Sequence, residues 1–136
     1  MQEPSITFPK APDTLRPGKT AEISTNRFRL GGDDVKEFGN RYQEILGREV
    51  ETGRHQDPRT GKYDGIEIKG VQAGSIAERH GAQVGDVVKS INGHSVNSTQ
   101  DAIHFVQVNQ NQYTTWEVVI ENHGKTRTVT YESGTN

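Results

Sequence analysis

The sequence of 136 residues contains no cysteine, which excludes disulfide bonds, thiol nucleophiles and thiolate metal sites. It also lacks any apolar stretch near the roughly 18–20 residues that a transmembrane helix needs, and it has no apolar core of a signal peptide. Apolar residues make up only 29% of the chain, and they are concentrated after residue 62. The composition predicts a soluble chain with one domain of ordinary size and polar tails.

An excess of charge of one sign is missing as well. The chain has 16 basic and 18 acidic residues and a net charge of −2, and the two signs are mixed along its length. Proteins that bind nucleic acids or anionic membranes usually carry a basic run or face. We therefore expect no nucleic-acid partner, and contact with a membrane only through an anchor upstream of this sequence.

Signatures of catalysis are absent too. There is no G-x-S-x-G motif, no thiol, and no pair of carboxylates in an apolar context. The five histidines are scattered, and none forms an i,i+4 pair on one predicted helix, as a metal site would favour; they are His55, His80, His94, His104 and His123. The sequence thus predicts no enzyme, no metal site and no cofactor.

The beginning of the chain is rich in proline. Residues 1–25 hold four of the five prolines, without any apolar period. Such a segment cannot bury enough surface to offset the entropy lost on ordering it. We predict a flexible linker over residues 1–25 and a short tail over residues 133–136.

Residues 26–62 are predicted to form an extension ahead of the main domain. A short strand over residues 26–30 is followed by a helix from Asp34 to Leu46, with Asp34 as its N-cap and Gly47 ending it in a left-handed conformation. A strand over residues 49–55 then pairs, through a turn at residues 57–61, with a strand over residues 63–71.

Residues 63–132 contain clearer signals for helix starts and turns. Ser75 and Ser98 each begin a capping box, which predicts a short helix closed by Gly81 and a longer helix to about residue 108. An apolar run at residues 87–91 predicts a strand between them. Two further strands, containing Trp116 as a core residue, follow as a hairpin closed by a glycine loop at residues 122–124.

Several glycine motifs of this second half occur in a fixed order. The segments that carry them are Gly65-Ile66-Glu67-Ile68, Gly74-Ser75-Ile76-Ala77, Gly81-Ala82-Gln83-Val84-Gly85-Asp86 and Ile91-Asn92-Gly93. In order and spacing they resemble the signature of bacterial PDZ domains. The resemblance implies an α+β fold: a partly open antiparallel β-barrel or sandwich of five to six strands flanked by two helices, here with an extra N-terminal helix. The predicted domain spans residues 26–132, with its PDZ core at 63–132.

The PDZ resemblance also implies a function, in which an extended peptide adds as a strand beside a helix. By position, residues 63–66 would form a carboxylate-binding turn, residues 66–69 an edge strand, and the helix the other wall. The predicted peptide-binding residues are Tyr63, Asp64, Gly65, Ile66, Glu67, Ile68, Lys69, Thr99, Ala102, Ile103 and Val106. The alternative is that the apolar members are only core. Asp64 would also repel a peptide C-terminus, which favours internal segments or a vestigial groove.

A narrower resemblance covers roughly residues 33–132. A helix starting at Asp34, a strand, a polar turn containing Gly61-Lys62, and a late basic-polar strand ending at Tyr131 are similar to the PDZ region of the type II secretion system C component. This implies a periplasmic domain of a protein anchored in the inner membrane, with segments of secretin, pseudopilin or secreted substrate as partners. The alternative is a substrate-binding or regulatory PDZ domain of a periplasmic serine protease.

Overall fold

A computed structural model describes residues 18–132 of the chain. The described part contains eight strands and three α-helices, with a π-helical turn (Ile45–Glu49) directly after the first helix. The strands are β1 (Ala21–Ser24), β2 (Arg27–Arg29), β3 (Val50–Gln56), β4 (Tyr63–Val71), β5 (Val87–Ile91), β6 (His94–Ser95), β7 (Thr115–Asn122) and β8 (Lys125–Glu132). The helices are α1 (Gly32–Glu44), α2 (Ile76–Arg79) and α3 (Thr99–Asn109).

One sheet contains all eight strands, seven of them in the order β1-β2-β8-β7-β5-β4-β3 and the eighth, β6, paired to β5. Neighbouring strands are antiparallel except β2 and β8, which are parallel. Residues ahead of the predicted PDZ core therefore supply both ends of the sheet, β1 at one end and β3 at the other. Seven strands in one path exceed the five to six predicted, because these residues add strands at both ends of the PDZ core.

The core lies between the sheet and α3. Trp116 on β7 is buried with Ile66, Ile91 and Val96, and the partly buried Phe105 of α3 packs against this cluster. The ring of Phe105 meets the indole edge-on, with centroids 6.5 Å apart. This confirms the predicted core position of Trp116 between the last strands and the helix.

Both predicted serine caps are present. Ser75 Oγ accepts a hydrogen bond from Glu78 N at 3.1 Å, and Ser98 Oγ accepts one from Asp101 N at 3.1 Å. Each hydroxyl satisfies one of the N–H groups that a helix start leaves free. The hairpin loop between β7 and β8 has positive φ at His123 and Gly124, which is the geometry that a two-residue hairpin turn requires.

Two details of the extension differ from the prediction. Asp34 is not the N-cap of α1 but lies in its first turn, where the buried carboxylate accepts hydrogen bonds from Thr20 N and from Arg79. Gly47 does not end the helix in a left-handed conformation, since it lies inside the π-helical turn and is not among the residues with positive φ. Tertiary partners of Asp34 have replaced its local capping role.

The predicted linker overlaps the folded domain. Residues 21–24 form β1, which pairs with β2, and Thr20 is buried. A linker can therefore extend at most to residue 17, and residues 1–17 and the predicted tail at 133–136 lie outside the described residues.

His80, just after α2, joins this N-terminal segment to the PDZ core. Its Nδ1 lies 2.8 Å from the Ile76 carbonyl oxygen and must donate to it. Its Nε2 lies 3.0 Å from Thr20 Oγ1, which accepts from Gly31 N. The neutral ring satisfies every partner, because Thr20 then donates to Nε2. A charged ring would instead donate from Nε2 to Thr20 Oγ1, and the hydroxyl proton of Thr20 would lose its acceptor.

We predict a stability change near neutral pH from this histidine. Burial lowers the pKa of His80 below its usual value of 6.5, so the unfolded chain binds more protons between the two pKa values. The stability contributed by neutral His80 should be complete above about pH 6.5 and should be lost as the pH falls through the lowered pKa. Urea unfolding at a series of pH values measures this. The slope of the free energy of unfolding against pH should become flatter in His80→Gln. It should remain in His104→Gln, because His104 is exposed. An unchanged slope in His80→Gln would contradict the assignment to His80.

Candidate functional site

The end strand β3 offers a free backbone edge. It pairs with β4 along its whole length, and within residues 18–132 no strand pairs with its other side. In an antiparallel ladder alternate N–H and C=O groups point away from the partner strand. The outer edge of β3 is therefore a template to which another strand could add.

The strand at residues 63–71 does not have such an edge, which corrects the prediction that residues 66–69 form one. β4 lies inside the sheet, between β3 and β5. Residues 63–66 are part of this strand and not a carboxylate-binding turn. Gly65 is required there for packing, because a Cβ would lie 2.6 Å from Val87 Cγ1. In the middle of β4, Ile66 and Glu67 pair with both β3 and β5, so their backbone pairing is already used within the domain. Lys69 instead lies at an irregularity of the β3–β4 pairing.

The beginning of α3 is linked to the end of β3 by a side chain. Arg54, near the end of β3, donates from Nε to the carbonyl oxygen of Asn97, just before α3, at 3.2 Å. None of the α3 residues is fully buried, so the helix covers the core only partly.

A cavity of about 400 Å³ is lined by residues of both elements, together with residues of α1, the π-helical turn, α2 and the inner strands of the sheet. Its lining includes Val50 and Thr52 from β3 and Thr99, Ala102 and Val106 from α3. We call this space the groove. Its volume lies within the range of about 300–1,000 Å³ that is usual for ligand sites.

Some of the other predicted binding residues line the cavity, and some of these are also core residues. Ile66 and Ile68 line the cavity and are also buried core residues, so the binding and core interpretations apply to them together. Ile103 is not among the residues that line the cavity. Of the four predicted helix residues, three therefore face the groove; whether they contact a peptide stays a prediction.

The π-helical turn closes the groove at the start of β3. Val50 N donates to the Ile45 carbonyl oxygen, with the five-residue spacing that defines a π-helix. Leu46 from this turn lines the cavity. Amide groups bonded in this way are not available to hold a terminal carboxylate.

Asp64 has partners of its own. Its carboxylate lies 2.6 Å from His55 Nδ1 and accepts from Lys89 Nζ at 3.0 Å. Burial by itself would raise the pKa of Asp64, but the hydrogen bonds from His55 and Lys89 outweigh it and lower the pKa. The charge of Asp64 is balanced within the domain, so the predicted repulsion of a ligand loses its basis.

The residues that sequence reasoning missed are those of β3, above all Val50, Thr52 and Arg54. A signal was present: the seven residues of β3 contain one apolar side chain, whereas β4 carries Ile66, Ile68 and Val71. Charged and polar strands are typical of sheet edges, and apolar strands of the interior of a sheet.

A family model described as a PDZ domain matches residues 67–120, from the middle of β4 to β7. The predicted PDZ fold is therefore confirmed. PDZ domains are peptide-binding interaction modules and generally catalyse no reaction. Within residues 18–132 no helix is long and apolar enough to cross a membrane.

No curated protein sequence matches the chain. Among solved structures, two fragments of the PDZ domain of EpsC from Vibrio cholerae are similar to it. The shorter is 20% identical with a TM-score of 0.44, covering 66% of this chain and 99% of the fragment. The longer is 18% identical with a TM-score of 0.47, covering 74% and 92%. The HtrA3 PDZ domain bound to a phage-derived ligand is 15% identical with a TM-score of 0.44, covering 64% and 82%.

Proposed function

We propose that this chain binds an extended segment of another protein, which adds as a strand to the free edge of β3 and lies in the groove beside α3. One observation carries the proposal: the only long free edge of the sheet in residues 18–132 is next to an apolar cavity walled by a helix. Backbone hydrogen bonds to β3 would supply affinity, and the cavity would accept alternate side chains.

The segment bound is proposed to be internal. A terminal carboxylate requires free N–H groups at the start of the edge strand, and here the N–H group of Val50, the first residue of β3, already donates to the Ile45 carbonyl oxygen. The same peptide with a free or an amidated C-terminus should therefore bind equally well in a calorimetric titration. Clearly tighter binding of the free acid would contradict this part of the proposal.

Filling the groove should block binding. Ala102 lines the cavity from α3, and in Ala102→Phe the benzyl group would occupy the space of a ligand side chain. We expect affinity for library-selected peptides to fall by at least about tenfold, or about 1.4 kcal/mol. The matched control is His104→Phe, which places the same ring on the exposed side of the same helix.

Amide-shift titration of the full chain locates the site. Shifts should concentrate on β3 (50–56) and α3 (99–109), and Ala102→Phe should lose them while its melting temperature stays close to that of His104→Phe. Shifts confined to β1 (21–24), at the other end of the sheet, would show that strand addition occurs elsewhere. Binding unchanged in a well-folded Ala102→Phe would exclude the groove.

We further propose that the parent protein is a periplasmic component similar to the type II secretion system C component, anchored in the inner membrane. The resemblance over residues 33–132 supports this, and α1 followed by β3 has the predicted helix-strand order. The partners would be segments of secretin, pseudopilin or secreted substrate, tested by titration with purified fragments. A serine-protease domain in the same longer protein would favour the protease alternative instead.

A further inference from the structure

Arg54 is an exposed residue of β3 close to the groove, although it is not among the residues that line the cavity. It lies two residues after Thr52 on a regular part of β3, so strand alternation puts its side chain on the same face as Thr52, which lines the cavity. Its Nε bond to Asn97 carries the guanidinium across to the beginning of α3. A segment added to β3 would pass this group.

The guanidinium is held in place from a second side. Its Cζ lies 3.8 Å from the centre of the Tyr63 ring, a cation–π contact that covers one face. The Nε–H group donates to the Asn97 carbonyl oxygen, and the N–H groups of both terminal nitrogens remain available for a ligand. A side chain positioned in this way loses little entropy when it binds.

Arg54 has no carboxylate partner within the described residues 18–132. Three acidic side chains on neighbouring segments are paired elsewhere: Asp57 with Arg59, Asp64 with Lys89, and Asp101 with His94. An ordered guanidinium without a carboxylate, beside an otherwise apolar groove, lacks its complementary charge.

We propose that Arg54 binds the side-chain carboxylate of an Asp or Glu in the added segment, so that the groove selects acidic peptides with apolar residues alongside. The planar fork of arginine matches a carboxylate with two parallel hydrogen bonds. This inference rests on the proposed function, since the peptide must add to β3 to reach Arg54. Tyr63 acts as a positioning residue, and its contact with the ligand is not required.

The test is selection of a random peptide library, displayed as internal segments, on the full chain and on Arg54→Gln. The wild type should enrich Asp or Glu at one position; Arg54→Gln should lose that enrichment and keep the apolar preferences. In synthetic peptides blocked at both ends, replacing the acid by its amide should weaken binding to the wild type by about three- to tenfold. The same replacement should have no effect on Arg54→Gln.

Matched variants distinguish a specific contact of Arg54 from an effect of the overall positive charge of the domain. Arg59→Gln removes an equal charge from an exposed side chain in the turn before β4 and should keep the acidic preference. Tyr63→Phe should also keep it, whereas Tyr63→Ala should reduce it, because only the first retains the stacking surface. High salt should weaken the preference in the wild type, as it screens an exposed charge pair.

The outcomes distinguish the two proposals. The selected peptides could lose binding to Ala102→Phe and yet show no enrichment of Asp or Glu. This result would contradict the role of Arg54 and leave the proposed function standing. An acidic preference that persists in Arg54→Gln would overturn it as well. If no peptide is selected, both proposals fail.

Discussion

Replacing Asp86 with alanine is expected to lower the free energy of unfolding by about 3–5 kcal/mol, the range for breaking a buried ion pair. The side chain is fully buried. Its carboxylate accepts from both terminal nitrogens of Arg127 at 3.1 and 3.0 Å, from Asn122 Nδ2 at 2.9 Å and from Gln83 N at 3.0 Å. Alanine would leave all of these donors without their acceptor.

The measurement is urea unfolding, read from the midpoint at unchanged slope. Because total stability is about 5–15 kcal/mol for most domains, a loss of this size should move the urea midpoint of Asp86→Ala to a clearly lower concentration. The double variant Asp86→Ala/Arg127→Ala should lose less than the sum of the two single losses, since it removes the orphaned cation along with its partner. Asp101→Ala, which removes a less buried carboxylate paired with His94, is the control. A loss below about 1 kcal/mol, typical of surface pairs, would contradict the assigned role.

Replacing Trp116 with alanine is expected to cost about 3–5 kcal/mol, as truncation of large buried aromatic residues does. The indole is 6% exposed and also meets Tyr113 edge-on, with ring centroids 5.4 Å apart. Its removal would open a cavity between β7 and α3. Since Trp116 also lines the groove, the wall of the groove formed by α3 should loosen at the same time.

Trp116 is the only tryptophan in the sequence, so its fluorescence reports on this position directly. The native emission should be blue-shifted and should move to the solvent value on unfolding in urea. Trp116→Phe should lose much less stability than Trp116→Ala, because a ring still fills the space. A solvent-like emission maximum in the native protein would show that the core has been placed wrongly.

Local signals account for the parts of the fold that the sequence predicted correctly. The capping serines Ser75 and Ser98, the glycine turn after His123, and the apolar alternation around Trp116 each act over a few residues. They place helices, turns and core positions without knowledge of distant partners. The PDZ resemblance added the order of these elements.

The groove required information of another kind. Residues 49–55 and 63–71 were both predicted as strands and paired as a hairpin, and the PDZ resemblance led us to place the free edge on the second. Which of the two is the end strand depends on β5 pairing with Ile66 and Glu67. Contacts between residues distant in sequence decide such strand pairings, and the local pattern of apolar and polar residues does not reveal them. The polar composition of β3 was the one usable signal.

Asp34 shows the same limit at a single residue. Its position before an amphipathic stretch predicted an N-cap, yet its carboxylate binds Arg79, 45 residues away in the chain. The hydrogen bonds to Thr20 N and Arg79 lower the pKa of Asp34, although burial by itself would raise it. A charge-assisted pair of this kind is stronger than the local cap that it replaces.

By itself the sequence determined the class of fold, the positions of the helix caps and turns, the core tryptophan, and the expectation of a peptide-binding module, because these depend on short-range patterns and on motif order. Tertiary structure alone decided that β3 is the free edge, that the π-helical turn engages the N–H group of Val50 at the start of this edge, and that Arg54 is held close to the groove by Asn97 and Tyr63. Each of these depends on which strands and side chains meet across the sheet, and strand order is set by burial and pairing over the whole domain.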